Sequence, residues 1–115
     1  IPDFSGCTNL RSLTLRNNVL TSYKVGAFAK LYRINFIDLK FNNLTQTDLD
    51  NILVDLVDNW TSINRGGVSI NLKNQTNSSG ALTFPSAIGY AAARTLVSKG
   101  WSIGLSGGIP PEPTE

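Results

Sequence analysis

Apolar and polar residues follow the same order twice in the first half of the chain. Residues 10–20 read LRSLTLRNNVL and residues 34–44 read INFIDLKFNNL. In both stretches apolar side chains occupy the first, fourth, sixth and last positions, and an asparagine occupies the ninth. The alternation turns two apolar side chains to one side of a short strand, and the asparagine can hydrogen-bond the backbone where the strand ends. The pattern predicts a repeated strand-and-turn unit that buries its apolar edge only against a neighbouring unit.

Two later stretches repeat the strand part of this pattern after a longer interval. Ile70 follows Ile37 by 33 residues, and Ile103 follows Ile70 by another 33. The asparagine is replaced in these stretches by Gln75 and Gly108. Four strands are therefore expected, near residues 12–16, 36–40, 68–73 and 101–105.

The interval between the second and third strands carries a helical pattern. Residues 47–60 read TDLDNILVDLVDNW, with apolar residues at positions 49, 52, 53, 56, 57 and 60. Spacings of three and four residues put these side chains on one face of a helix, which is expected to pack on the strand layer. Thr47 is expected to cap this helix, and Asp48 and Asp50 lie near the positive end of its dipole.

The interval between the third and fourth strands predicts a second helix, over residues 85–100. Pro85 suits its first turn and Gly100 suits its C-terminal end. Its inward stripe is expected to consist of Ile88, Ala91, Ala92, Thr95 and Leu96. The first interval, residues 21–33, is shorter and has room for only a turn or two of helix.

The first two stretches match L-x-x-L-x-L-x-x-N-x-L at every fixed position, and in this they resemble the leucine-rich repeat family. The apolar residues Ala27, Phe28 and Leu31 of the first interval are similar to the backs of ordinary leucine-rich repeats. Residues 81–108 are similar to the C-terminal ends of leucine-rich-repeat regions in bacterial and phage surface proteins. The resemblance implies an α/β solenoid fragment of four short parallel strands with helices or turns on the outer face. The expected organisation is a repeat domain over residues 1–106 and a Pro-rich tail over residues 107–115.

Composition removes several classes of function. Ten Lys and Arg residues against eight Asp and Glu residues give a net charge of +2, which is too small to indicate nucleic-acid binding. No apolar run approaches the ~18 residues of a membrane span. The chain has no histidine and one cysteine, so the commonest general base is missing and an internal disulfide is excluded. We therefore expect a protein without catalytic residues, cofactor or metal.

Three groups of reactive residues have simpler interpretations. The sequence GLSGG, residues 104–108, fits the nucleophile-elbow pattern, but prolines follow it and no histidine partner exists, so a strand ending in a glycine turn is expected. Cys7 is expected to be a small buried residue at a repeat turn. The carboxylates of the first helix are expected on its solvated face rather than in a cation site; these are Asp48, Asp50, Asp55 and Asp58.

The candidate binding residues lie at strand positions that face away from the core. Adjacent strands lie ~4.8 Å apart, so Arg16, Lys40 and Lys73 are expected to form a ladder of three cations on neighbouring strands. Asp38 offsets part of this charge, which leaves an anion-preferring groove. The other interpretation is that these long side chains splay into water. Phe36 is an apolar ring on the same face, of the kind that anchors contacts, and Asn71 completes the set of candidate binding residues.

The resemblance and this face together predict a non-enzymatic recognition module. Its ligand is expected to be a protein or a glycan, bound through the strand face, and the module is expected to belong to a larger surface, secreted or phage tail protein. An extracellular, cell-surface or virion location follows from that expectation. The alternative is a structural, assembly or capping piece of a virion or cell-surface fibre, whose partners are further repeats or subunits of the parent protein.

Overall fold

A computed structural model describes residue 1, residues 3–58 and residues 67–111 of the chain. Within these residues there are four strands, which pair in parallel and in chain order into one sheet, and two helices. The predicted α/β arrangement of four parallel strands is confirmed. The elements are β1 (Ser12–Thr14), β2 (Phe36–Asp38), α1 (Gln46–Asp58), β3 (Ser69–Asn71), α2 (Ala87–Ser98) and β4 (Ser102–Gly104).

The strand register is the one that the repeated pattern predicts. Neighbouring strands align Leu13 with Ile37, Ile37 with Ile70, and Ile70 with Ile103. This column points into the core, and its first three members are buried. The strands have three residues each, and are shorter than expected. Each strand is followed by a turn residue with positive φ, which ends the extended backbone; these residues are Asn17, Phe41, Asn74 and Gly107.

Side-chain amides close the turns after the strands. The Asn42 amide donates to the carbonyls of Leu15 and Leu39 at 3.0 and 2.9 Å, and its oxygen accepts from the Leu20 amide at 3.1 Å. Gln75 makes the equivalent bonds one repeat later: it donates to the Leu39 carbonyl at 2.7 Å, and its oxygen accepts from the Leu44 amide at 3.2 Å. A glutamine thus fills the asparagine position without loss of the turn.

The back of the first repeat consists of turns between residues 25 and 30, without a helix. Ala27, Phe28 and Leu31 are fully buried there, as predicted. Tyr23 is buried beside them, and the centre of its ring lies 5.1 Å from the centre of the Phe28 ring. Fixed packing of these side chains, rather than a helix, therefore closes the core behind β1.

Helix α1 starts one residue earlier than expected, and Thr45 caps it in place of Thr47. The Thr45 hydroxyl accepts a hydrogen bond from the Asp48 amide at 3.2 Å, while the Asp48 carboxylate accepts from the Thr45 amide at 3.0 Å. This reciprocal pair satisfies donors at the helix end. The expected inward stripe is confirmed at Leu49, Ile52, Leu53 and Leu56, which are buried. Trp60 lies outside the described residues.

The expectation that the acidic residues of α1 are solvated is wrong for three of the four. Asp48 and Asp55 are buried, because the non-helical back of the first repeat lies against this side of the helix and supplies hydrogen-bond donors. The Asp50 carboxylate accepts from the amide and the hydroxyl of Ser86. Only Asp58 is exposed.

The inward face of helix α2 is only partly the one expected: Ala92 and Leu96 are buried as predicted, but the other three residues of the expected stripe are not. Ile88 is 66% exposed, and Ala91 and Thr95 are also exposed. The inward residues are Gly89, Ala92, Ala93 and Leu96. Gly89 packs so closely on Asp50 of α1 that a side-chain carbon there would overlap the carboxylate. The need for close helix–helix contact therefore selects the smallest residues, and overrides the apolar stripe.

The ends of α2 follow the sequence more closely. Ser86 is the capping residue, and its hydroxyl accepts from the Ile88 amide at 3.3 Å. Pro85 is buried just ahead of the cap rather than within the first turn. Gly100, with φ of +89°, ends the helix as predicted.

The prediction that Cys7 is buried is wrong, since the residue is exposed. The apolar anchor of this N-terminal turn is Phe4, whose carbonyl accepts from the Cys7 amide at 2.8 Å. The ring of Phe4 lies 6.2 Å from that of Phe28. The larger aromatic side chain thus takes the inward place, and the thiol is left at the surface.

Candidate binding surface

The strand face is the side of the sheet that points away from the helices. Two backbone hydrogen bonds carry the strand alignment past the strand ends: Asn17 donates to Lys40, and Phe41 donates to Lys73, each at 3.1 Å. The residues Arg16, Lys40 and Lys73 therefore occupy equivalent positions on three neighbouring strands. Arg16 and Lys73 are exposed, and Lys40 is half-buried.

Asp38 lies on the strand face, but it is only 4% exposed. Its carboxylate lies 3.8 Å from the guanidinium of Arg16 and accepts a hydrogen bond from the Lys40 amide at 3.2 Å. Because half of the Arg16 side chain is exposed, the ion pair itself contributes little, about 0–1 kcal/mol. Asp38 therefore orients Arg16 and the turn at Lys40, and offers little surface to a ligand.

Asn71 occupies the position of Asp38 on the next strand and forms the same local hydrogen bond. Its side-chain oxygen accepts from the Lys73 amide at 3.0 Å, just as that of Asp38 accepts from Lys40. The amide carries no charge, and among the described residues no carboxylate lies within ion-pairing distance of Lys73. The positive charge of the face is therefore least compensated on β3 and its following turn.

Phe36 and Phe41 stand on either side of Lys40 along the chain. Phe36 is 36% exposed, as expected for a surface ring, and Phe41 is 49% exposed. The ammonium of Lys40 lies 5.9 Å from the centre of the Phe41 ring, within range of a cation–π contact. Sequence reasoning missed Phe41. The available signal was its place one residue before the asparagine, where other repeats have asparagine or glycine.

Within residues 1, 3–58 and 67–111, no three His, Cys, Asp or Glu side chains are grouped as metal ligands. The GLSGG stretch forms the end of β4 and a glycine turn, as predicted, with positive φ at Gly107 and Gly108. No helix in the described ranges is long and apolar enough to cross a membrane.

The comparison with protein families supports the repeat interpretation of the first part of the chain. The leucine-rich-repeat family model matches residues 4–46, which include β1, β2 and the turn at Asn42. Neither the comparison with curated proteins nor that with solved structures gave a significant match. The leucine-rich repeat family is thus supported by one segment and by the α/β sheet that continues beyond it.

Proposed function

We propose, with the leucine-rich-repeat match as premise, that this chain is a non-enzymatic recognition module that binds a protein or a glycan through its strand face. Such repeats present side chains from several strands on one surface, which suits protein binding. The contact residues in this proposal are Arg16, Phe36, Asp38, Lys40, Asn71 and Lys73. Phe41 joins them because its exposed ring adjoins Lys40.

One observation carries the proposal. Three cations occupy equivalent positions just after three neighbouring strands, and among the described strand-face residues the only carboxylate is the covered Asp38. Like charges on neighbouring strands destabilise a sheet unless an opposite charge meets them. An anionic partner would supply that charge, and exposed aromatic rings beside the cations would supply apolar contact.

The wider setting belongs to the same proposal. A module of this size suits a larger surface, secreted or phage tail protein, where its partners include further repeats or subunits. An adhesive role in such a protein is consistent with a preference for anionic groups, which proteins and glycans both carry. The resemblance of residues 81–108 to bacterial and phage surface proteins motivates this setting.

The test begins with protein and glycan arrays probed with the 115-residue chain. Lys40→Glu should then weaken binding to the partner found by about tenfold or more, since a desolvated charge pair contributes on the order of 1 kcal/mol or more. The loss should shrink as salt rises, because exposed charges are screened over ~10 Å at 0.1 M. Lys30→Glu makes the same charge change on the back of the first repeat, and should leave affinity unchanged.

Phe36→Ala separates the apolar contribution from the charge contribution. It should weaken the same interaction with little dependence on salt, since the ring carries no charge. Neither variant should change the melting temperature much, because both side chains lie on the strand face. Unchanged affinity for both variants at low salt would show that recognition uses another surface.

A further inference from the structure

The outer edge of β4 has backbone groups that the fold leaves open. The Ser102 amide donates to the Val68 carbonyl at 2.9 Å, and the Leu72 amide donates to the Gly104 carbonyl at 2.8 Å. Residues 102 and 104 therefore face β3. Backbone groups alternate sides along a parallel strand, so the amide and carbonyl of Ile103 point away from β3. Within the described residues β4 is the last strand of the sheet, and nothing pairs with that edge.

A cleft of about 460 Å³ lies at the C-terminal end of β4, and Ile103 of this edge belongs to its lining. Its size lies within the range of ordinary ligand sites, roughly 300–1,000 Å³. One wall is the backbone of β4 and the turn that follows it, and the other includes Leu82. Its lining includes Lys73, Leu82, Ile103, Gly104, Ser106 and Gly107.

The side chains around the cleft favour an extended peptide over a compact ligand. Gly104 and Gly107 have no side chains, so a second backbone can approach β4 closely. Leu82, 46% exposed, and the half-buried Ile103 offer apolar contact. Among the described residues of the lining, Lys73 is the only charged one, and none of them is a carboxylate that could balance it. The cleft therefore complements a strand that carries apolar and acidic side chains.

We propose that β4 accepts an extended acidic–apolar peptide segment of a partner protein as a fifth strand, seated in the cleft beside Lys73 and Leu82. Main-chain hydrogen bonds to Ile103 supply affinity, and the cleft supplies specificity, as in other cases of strand addition. The site extends the proposed function, and of the contact residues proposed for the strand face it includes only Lys73. A failure here and a failure of the strand face are therefore separable.

A second copy of the chain fits this edge less well. Head-to-tail stacking would pair β1 of one copy with β4 of another. Arg16 of the first copy would then lie next to β4, one strand away from Lys73. Arg11, exposed at one of the two meeting ends, adds further positive charge. Like charges of this kind oppose the contact, whereas an acidic peptide would relieve them.

Amide hydrogen exchange measured by NMR tests the edge directly. In the free chain the Ile103 amide should exchange much faster than the amides of Ser102 and Gly104, which face β3. The probe is a short blocked peptide that alternates glutamate with valine. At about ten times its Kd, it should slow exchange at Ile103 about tenfold. A peptide that alternates lysine with valine should have no such effect.

Backbone methylation of the probe distinguishes strand addition from simple charge attraction. Methyl groups on the amides that face β4 should abolish binding, while methyl groups on the opposite edge of the peptide should not. Leu82→Asp should weaken binding at least tenfold by placing a carboxylate in the cleft. Val19→Asp is the matched control, since Val19 is 81% exposed and lies outside the lining, and it should bind normally.

The outcomes decide among the possible occupants. Slowed exchange at Ile103 together with sensitivity to methylation supports strand addition by an acidic peptide. Protection of Ile103 that rises with protein concentration and needs no peptide would assign the edge to a second copy, and would overturn the proposal. No binding of the glutamate–valine probe, or binding that methylation leaves unchanged, would overturn it as well. Lys40→Glu is expected to leave probe binding intact, whatever its effect at the strand face.

Discussion

The front half of the sheet, β1 and β2, and the rear half, β3 and β4, share one strand alignment, but the segments that pack behind them differ. Leu13 and Ile37 are 24 residues apart in sequence, whereas Ile37 and Ile70 are 33 apart, yet both pairs are aligned neighbours in the sheet. The segment between β1 and β2 consists of turns packed on Phe28, whereas the two later connecting segments contain α1 and α2. The strands therefore define the repeat, and the form of each connecting segment depends on its length.

The turns teach the same lesson at the scale of one side chain. Asn42 in the front and Gln75 in the rear both donate to the Leu39 carbonyl and accept from a backbone amide of the preceding repeat. The family match stops at residue 46, but this hydrogen-bond pattern continues past it. At the two inner turns, after β2 and β3, the position is filled by a buried amide that reaches two neighbouring repeats, whether it belongs to asparagine or to glutamine.

Matched truncation of the cores should give the largest effect. Leu39 and Leu72 are equivalent positions in the two halves, and they are 0% and 2% exposed. Leu39→Ala and Leu72→Ala should each lower the free energy of unfolding by about 2–5 kcal/mol, from lost burial and the remaining cavity. Urea denaturation would measure both.

Leu15→Ala supplies the control, because Leu15 holds the same position on the outermost strand and is only half-buried. Its loss should be clearly smaller than that of Leu39→Ala. A loss below 1 kcal/mol at Leu39 would mean that the strand register is wrong. A loss at Leu39 but not at Leu72 would mean that the rear half does not share the front core.

Removal of the turn amides should give the next largest effect. Asn42→Ala and Gln75→Ala each delete a buried side-chain amide that makes about three hydrogen bonds. At about 0.5–1.5 kcal/mol for each bond, each variant should lower the free energy of unfolding by roughly 2–4 kcal/mol. Asn18→Ala should cost less, because the two bonds of Asn18 are exposed to water. Denaturant melts of the three variants would rank them.

Gln75→Asn sharpens the comparison. The side chain is one methylene shorter, so we expect it to keep only one of the bonds to the Leu39 carbonyl and the Leu44 amide, and to recover only part of the loss in Gln75→Ala. Full recovery would show that the rear turn tolerates either amide, and that the glutamine has no geometric role.

The sequence predicted the strand layer well because its signal is local and repeated. Alternation at Leu13 and Leu15, and again at Ile37 and Leu39, fixes which side of each strand is inward. Two matching copies also fix the alignment of neighbouring strands, since a shift by one residue would expose the apolar side chains. The lateral positions of Arg16, Lys40 and Lys73 follow from that alignment alone.

The errors lie where contacts between distant segments decide the outcome. The apolar pattern of α2 favoured Ile88, but the close approach of Asp50 requires Gly89 at the contact. Asp55 has the charge of a surface residue, but amide and hydroxyl donors from residues 23–26 make it a buried acceptor. Periodicity within one helix carries no information about a partner segment that is 30 residues away.

Tyr23 links the turns behind β1 to helix α1. Loss of its hydroxyl in Tyr23→Phe should lower the free energy of unfolding less than the core and turn variants do. Its hydroxyl donates to the Asp55 carboxylate at 2.5 Å and accepts from the Phe28 amide at 3.1 Å. Asp55 also accepts from the Gly26 amide at 2.6 Å, and keeps that bond in Tyr23→Phe. The variant should therefore lose about 1–3 kcal/mol of stability at neutral pH. Tyr32→Phe, at a residue 39% exposed, is the control and should lose almost none.

The pH dependence identifies this contribution as that of the buried hydroxyl. Burial, followed by the hydrogen bond to Asp55, raises the pKa of Tyr23 well above its ordinary value of 10.0. The unfolded chain releases the Tyr23 proton near pH 10, while the folded chain keeps it, so the unfolded state binds fewer protons above that pH. Stability from this group is complete below about pH 10 and falls as pH rises further. Urea melts between about pH 8 and pH 11 should show the difference between the wild-type chain and Tyr23→Phe shrinking above pH 10. A constant difference across this range would mean that the folded chain does not hold the Tyr23 hydroxyl buried and protonated beside Asp55.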